Sequence, residues 1–494
     1  MNPEERLLRH LLTLIMENMQ EKLMNKNVAT VEMAEKNVDI VREGKVIVIP
    51  QGMKLSEARE WLTRKERSEE ETVNVYEQVE AFPLDGALAF TKALGRIYGW
   101  VDLQPTPGFW GSSPPSMVGM ETGVGTTTQV PWGQFAIPNV EGYLCTAFAV
   151  KDGRLIFCIR GQVKRKNLDD VAKIASLTRE IVKAESVYRG KAIAISFPDE
   201  DDGFDPNAAP EFFDTSAVRE DELVFPKEVE DMIGVNLFTP IEHTAACREH
   251  QIPLKRGILL EGPYGVGKTL TADVTAKKAV ENGWTFIYLD DVRKLQRAIY
   301  FAQQYQPAVI FAEDIDRVLK GERTSEMDGV LNTIDGVDTK HNEIMVVLTT
   351  NHVDEINKAG IRPGRLDAVV PVRPPDADAV GRLIRLYSRT LLPADEDINV
   401  ACKTLDGQIP AVIREVVERS KLSAIRRRGP TLTLKGEDLE LAAKSMMAHV
   451  KLMSAKVPDK RSDVEKAAGV IASALLTDKS TATATNGHGH ADAE

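Results

Sequence analysis

Cysteine is scarce. Cys145, Cys158, Cys247 and Cys402 are the only four in 494 residues, too few and too scattered for a disulfide framework or a thiolate metal site. Cys145 and Cys158 flank a hairpin turn expected at Lys151 to Arg154. With Asp152-Gly153 as the turn, Cys158 faces Ala147, and a bridge to Cys145 needs a different register. A reducing cytoplasm is the expected compartment. Long hydrophobic runs are also missing: nothing approaches the roughly 20 apolar residues that span a bilayer. The N-terminal "LLTLIM" is short and follows Glu4 and Glu5, unlike a secretory leader. An excess of positive charge is absent as well. The net charge of −12 argues against non-specific binding to nucleic acid or an anionic membrane. What is present, 43% hydrophobic and 28% charged residues, is the balance of an ordinary globular protein. The length suggests about three domains.

Periodicity and punctuation divide the chain. Residues 1–26 form an expected amphipathic helix, with Leu8, Leu11, Leu12, Ile15, Met19 and Leu23 near helical spacing. Residues 27–196 read as an α+β domain. Its expected strands are "GKVIVIP", "GQFAIP", "YLCTAFAV" and "RLIFCIRG", and a helix is expected near Asn167 to Ser186. Between them "GFWGSSPPSMVGMETGVGTTT" reads as a mobile loop, because "GVGTTT" lacks the lysine and the preceding strand of a phosphate loop. Residues 197–221, opening with "FPDEDDGFDPNAAPEF", are acidic, broken by Pro and Gly, and read as a linker. An α/β pattern fills 222–375 and a helical stretch 376–453. Residues 454–494 combine a helix with the low-complexity tail "TATATNGHGHADAE", where His488 and His490 lack further ligands for a metal.

The chemistry is concentrated in "GILLEGPYGVGKTL". Gly262, Gly265, Gly267, Lys268 and Thr269 fit Gly-x-x-x-x-Gly-Lys-Thr, after a buried strand (Gly257 to Leu260) and before a helical run (Leu270 to Asn282). Glycines let successive N–H groups point at phosphate oxygens, and a helix N-terminus adds partial positive charge. Gly262, Pro263, Tyr264, Gly265, Val266, Gly267, Lys268, Thr269 and Leu270 are therefore the expected nucleotide-binding segment. Lys268 reaches the outer phosphates and the Thr269 hydroxyl ligates Mg²⁺.

Two further strands, "TFIYL" (Thr285 to Leu289) and "AVIFA" (Ala308 to Ala312), follow. The second ends on Glu313 and Asp314, a carboxylate pair suited to hold a metal and activate water, but in the order Glu-Asp where Asp-Glu is usual. "IMVVLTT" (Ile344 to Thr350) delivers Asn351, placed to orient that water or contact the terminal phosphate. In open parallel sheets such strand ends share one ligand crevice. In "GIRPGRLD", Arg362 and Arg365 offer planar forks suited to phosphate, as arginine fingers if they reach a neighbouring subunit's nucleotide.

In "GPYGVGKT", "VIFAEDID", "LNTIDGV" (Leu331 to Val337) and "TTNHVDEINKAGIRPGRLD" (Thr349 to Asp367), taken in this order, the sequence resembles the AAA clade of AAA+ ATPases over about Glu222 to Met453. The resemblance implies an α/β P-loop NTPase core, a parallel sheet between helices, with a helical lid. It also implies ATP and Mg²⁺ as ligands, and a homo-oligomeric ring of six subunits, or seven. "QIPLKRGILLEGP", the Glu-Asp order, "TTN…IRPGR" and "IPAVIREVV" (Ile409 to Val417) are similar to the mitochondrial Rieske-protein translocase branch, whose members function with Glu-Asp. Physically the two carboxylates differ by one methylene, so a small backbone adjustment keeps Glu313 near Mg²⁺ and Asp314 near the attacking water. Retention of Lys268, Asn351, Arg362 and Arg365 argues against a dead site.

Departures from the family pattern also matter. "YLDDVRKLQRAIYFAQQYQP" (Tyr288 to Pro307) has no glycine for an aromatic pore loop, which argues against threading of unfolded chains. Tyr300, Phe301 and Tyr305 there read as core packing. The lid lacks a Gly-Ala-Arg motif, and Arg414 reads as a surface helix position. The expected protein is a cytoplasmic, ring-forming ATPase that remodels or moves a protein partner recognised by its N-terminal domain. A slow ATP-gated scaffold is the main alternative, and a nucleic-acid motor is opposed by the acidic balance.

Overall fold

The computed structural model describes residues 41–43, 46–48, 53–108, 111–151, 154–197, 209–315, 342–351, 366–429 and 433–454. The expected helix over 1–26, the tail beyond 454, the segment carrying "LNTIDGV", and Arg362 and Arg365 lie outside them. The chain divides into two compact units, residues 1–374 and 375–494.

The first unit begins with a short hairpin, β1 (Val41–Glu43) and β2 (Val46–Val48), and helix α1 (Leu55–Glu69). A five-stranded antiparallel sheet follows, built from β3 (Thr72–Val79), β4 (Asp102–Gln104), β9 (Gln134–Ala136), β10 (Gly142–Lys151) and β11 (Arg154–Lys164) in the order β3-β11-β10-β9-β4. β5 (Thr106–Gly108) pairs with β6 (Gly111–Ser113). In the long hairpin Ala147 stands opposite Cys158 and Cys145 opposite Arg160, so the expected register holds, and all four cysteines are free. Helices α2 (Pro83–Tyr98) and α3 (Leu168–Glu185) bury Leu84, Ala87, Phe90, Ile174 and Ile181 against this sheet. Each of the Leu, Phe and Ile side chains among these contributes about 1.5–3 kcal/mol. The sequence reading did not anticipate α2, although Pro83 at its start and Gly99 (φ 78°) just past its end are the usual punctuation.

Two expectations are corrected here. The segment read as a mobile loop is largely a β-ribbon, β7 (Ser116–Gly123) against β8 (Thr126–Trp132), turning at Gly125 with φ 66°. Met120 and Val130 are buried from it, which a count of Gly, Ser and Pro does not reveal. The boundary near residue 196 also moves. β12 (Ala192–Ile195) runs parallel to β15 (Thr285–Leu289), and β13 (Glu211–Phe212), from the segment read as linker, pairs antiparallel with β12. Aromatic burial overrides the acidic composition: Phe212 stacks on Tyr188 with centroids 5.9 Å apart, and Phe213 packs on Phe286 at 6.3 Å.

The second sheet has the order β13-β12-β15-β16-β17-β14-β18, with β14 (Arg256–Glu261), β16 (Ala308–Ala312), β17 (Ile344–Thr350) and β18 (Ala368–Pro371). All its pairings except that of β13 are parallel. β16 and β17 are buried at every position, as continuous apolar runs in a covered parallel sheet must be. Helices α4 (Lys268–Glu281) and α5 (Leu295–Ala302) cover it. Phe301 and Tyr305 are buried and Tyr300 half-buried, consistent with core packing. The second unit carries α6 (Ala377–Ser388), α7 (Asn399–Thr404), α8 (Pro410–Arg428) and α9 (Gly436–Ser454). Its buried Asp438 accepts from Arg427 and Arg428 and from the Lys435 N–H.

Candidate functional site: a phosphate loop and two carboxylates

Strand order places the chemistry. β16, β17 and β14 are adjacent, so the residues just past their carboxyl ends lie one strand spacing apart, about 4.8 Å. The chain enters β14, leaves through the glycine loop into α4, and returns as β15 beyond β17 and β16. Such a change of direction opens the crevice in which α/β sheets bind ligands.

The loop needs its glycines for separate reasons. A Cβ on Gly262 would lie 2.0 Å from the Val372 carbonyl oxygen, and its N–H donates to Thr350 O at 3.2 Å. Gly265 (φ 79°) and Gly267 (φ 111°) occupy the left-handed region that side chains disfavour. Val266 is buried and anchors the loop, while Pro263, Tyr264, Gly265 and Thr269 are exposed. α4 begins at Lys268, so its first N–H groups face whatever the loop encloses, the arrangement that attracts phosphate. Leu270 is half-buried one residue past Thr269.

Lys268 is 8% exposed, and its ammonium donates to Gly262 O (2.6 Å), Pro263 O (2.9 Å) and Asn351 Oδ1 (2.8 Å). Asn351 in turn donates from Nδ2 to Asp314 Oδ1 at 3.1 Å. Asp314 adopts φ 53°, a strained backbone for a non-glycine residue, and its N–H donates to Thr349 Oγ1 at 3.0 Å. Lys268, Asn351 and Asp314 thus form one hydrogen-bonded chain across three strand ends.

Glu313 is held from the opposite side. Tyr288, on β15, donates its hydroxyl to Glu313 Oε2 at 3.1 Å. Burial, followed by the charge of Glu313, pushes the Tyr288 phenol up to about 12, so it remains a donor at neutral pH. Asp273 stands one turn beyond Thr269 on α4; burial, then the charge of Glu313, holds its carboxyl above the usual range. Sequence reasoning missed Tyr288, Asp273 and Thr349. A tyrosine near the end of an otherwise apolar strand was the available signal, since a buried phenol seeks a partner.

The donor set fits Mg²⁺. Thr269 offers an exposed hydroxyl and Glu313 a carboxylate, and Mg²⁺ is characteristically held by one or two protein oxygens with phosphates and water completing its shell. Among the described residues no group of three or more His, Cys, Asp or Glu is placed to hold a metal ion. Arg414 is exposed on α8, its guanidinium 4.7 Å from the Tyr387 ring centroid.

Parallel sheet, glycine loop and paired carboxylates together define a nucleotide-hydrolysing fold. Residues 258–374 match the ATPase family associated with various cellular activities (AAA). The chain therefore carries an AAA ATPase domain, a domain of the ATP-hydrolase class. It is similar to the 26S proteasome regulatory subunit 8 homolog of Schizosaccharomyces pombe, 29% identical over 243 residues, 45% of this chain and 58% of the relative. Its likeness to the subunit 8 homolog of Saccharomyces cerevisiae is 27% over 242 residues, 45% of this chain and 58% of the relative. For the subunit 4 homolog of S. pombe it is 29% over 214 residues, 38% of this chain and 46% of the relative. The chain thus spans roughly half the length of these relatives, from 46% to 58%. Among the described residues no helix is long and apolar enough to cross a membrane.

Proposed function

We propose that this protein is a cytoplasmic, Mg²⁺-dependent ATPase that assembles as a homo-oligomeric ring and uses ATP hydrolysis to remodel or translocate a protein partner. The observation that carries the reading is the Lys268–Asn351–Asp314 chain, which unites three sequence motifs at one crevice. On binding ATP, Lys268 exchanges loop carbonyls for outer-phosphate oxygens while the N–H groups of the loop and of α4 enclose the phosphates. Thr269 and Glu313 hold Mg²⁺, which supplies charge neutralisation on the phosphates. Asp314 accepts the proton of the attacking water, and Asn351 orients that water. Arg362 and Arg365 act as arginine fingers from a neighbouring subunit, worth roughly 10³–10⁵ in rate.

The N-terminal antiparallel domain recognises the partner in this reading. Motif detail favours the Rieske-protein translocase branch, and the glycine-free segment Tyr288 to Pro307 favours handling of folded cargo over threading. Asp314→Asn tests the core of the proposal. It is expected to bind ATP within a few-fold of the wild type and to lose at least about 10²-fold in turnover, the share of a general base. Undiminished hydrolysis would refute the role of Asp314.

A further inference from the structure

The two neighbouring carboxylates are oriented by different strands. Asp314 is gripped from the β17 side: the Asn351 amide donates to its carboxylate, and the Thr349 hydroxyl accepts from its backbone N–H. Glu313 is gripped from β15: Tyr288 stands in register with Phe311, two residues before Glu313, and its hydroxyl reaches Oε2 at 3.1 Å. Glutamate has one more rotatable bond than the aspartate usual at this strand position, so an unrestrained Glu313 would spread its oxygens over several rotamers. A single directed donor restricts that freedom by holding one of the two carboxylate oxygens, Oε2.

We propose that Tyr288 is a positioning residue that adapts the reversed Glu-Asp pair to divalent-cation binding by holding Glu313 Oε2. The inference rests on the reading of Glu313 as the metal-side carboxylate. In this role the hydroxyl acts through Glu313 and not on nucleotide or cation directly. A merely structural strand-end hydrogen bond would instead affect folding and leave cation affinity alone.

The test uses the full chain and Tyr288→Phe, which removes one oxygen. Mn²⁺ affinity of the ADP complex, read from the free-Mn²⁺ electron paramagnetic signal, is expected to weaken roughly ten-fold, as when a partner of a metal ligand is lost. Binding of a fluorescent ADP analogue in EDTA is expected to stay within about two-fold of the wild type. Added to Glu313→Gln, the Phe substitution is expected to change Mn²⁺ affinity no further. Wild-type Mn²⁺ affinity in Tyr288→Phe, or an equal loss of ADP binding in EDTA, would overturn the positioning role alone. Wild-type Mn²⁺ affinity in Glu313→Gln would overturn the metal reading of Glu313 and the role of Tyr288 with it.

Discussion

Asp85 is buried at 2% exposure, yet it sits at the start of α2 surrounded by donors. Its carboxylate accepts from Ser186 Oγ (2.7 Å), Tyr305 OH (3.1 Å) and the Val187 N–H (3.2 Å), while Tyr305 OH accepts from the Phe82 N–H (2.9 Å). Burial raises its pKa against the opposing pull of these bonds. The folded protein therefore retains a proton that the unfolded chain releases near pH 4. Native protein binds more protons in that window, so this residue's contribution to stability falls as pH rises from about 4 through the raised pKa. Asp85→Asn should lose about 1–3 kcal/mol through its altered hydrogen bonds. Relative to the wild type it should then recover stability steadily as pH rises across the window. Urea titrations at successive pH values measure the difference; a gap independent of pH would mean Asp85 titrates normally. Little of this was legible in the sequence, because a carboxylate next to Pro83-Leu84 reads as a helix-start residue, and its partners Ser186 and Tyr305 lie far along the chain.

Helix α2 offers a contrast between two of its own glycines. A Cβ on Gly86 would stand 2.3 Å from Phe157 Cβ on β11, so the helix approaches the sheet where only glycine fits. Gly95 on the same helix has nothing within 4 Å of its would-be Cβ. Helix propensity favours alanine at both by up to about 1 kcal/mol. Overpacking costs 1–3 kcal/mol where no space exists. Gly95→Ala should therefore stabilise by a few tenths to about 1 kcal/mol, and Gly86→Ala should destabilise by about 1–2 kcal/mol. Denaturant midpoints check both, and the same sign at both positions would contradict the packing described. The parallel strands of this molecule were far easier to read than the close approach at Gly86. "TFIYL", "AVIFA" and "IMVVLTT" form strands with the bounds read from their apolar runs, since strands covered on both faces carry no polar interruptions. The β7–β8 ribbon escaped notice because few of its residues are buried.

At the scale of the whole molecule the proposed ring makes active sites composite. Lys268→Ala should lower ATP turnover by losing phosphate binding, and Arg362→Ala should lower it by roughly 10³-fold by losing the cation that a neighbouring subunit supplies. Co-assembled subunits of the two kinds pair an intact phosphate loop with an intact arginine at some interfaces. Turnover of the mixture should then exceed that of either variant alone, read by steady-state phosphate release over a range of ratios. No gain at any ratio would argue that Arg362 serves its own subunit's nucleotide.

The amino-acid sequence alone determined the phosphate loop, because strand, glycine turn and helix start are contiguous and their geometry is set by local backbone chemistry. It also marked Glu313, Asp314 and Asn351 as strand-end residues. Tertiary structure decided that Asn351 lies within 2.8 Å of Lys268, 83 positions away, and 3.1 Å from Asp314. It likewise decided that Tyr288 meets Glu313 and that β12 and β13 join the ATPase sheet. Those meetings depend on the order β15-β16-β17-β14. Strand order follows from how crossover helices pack on both faces of the sheet, and the periodicity of any single strand carries no record of its neighbours.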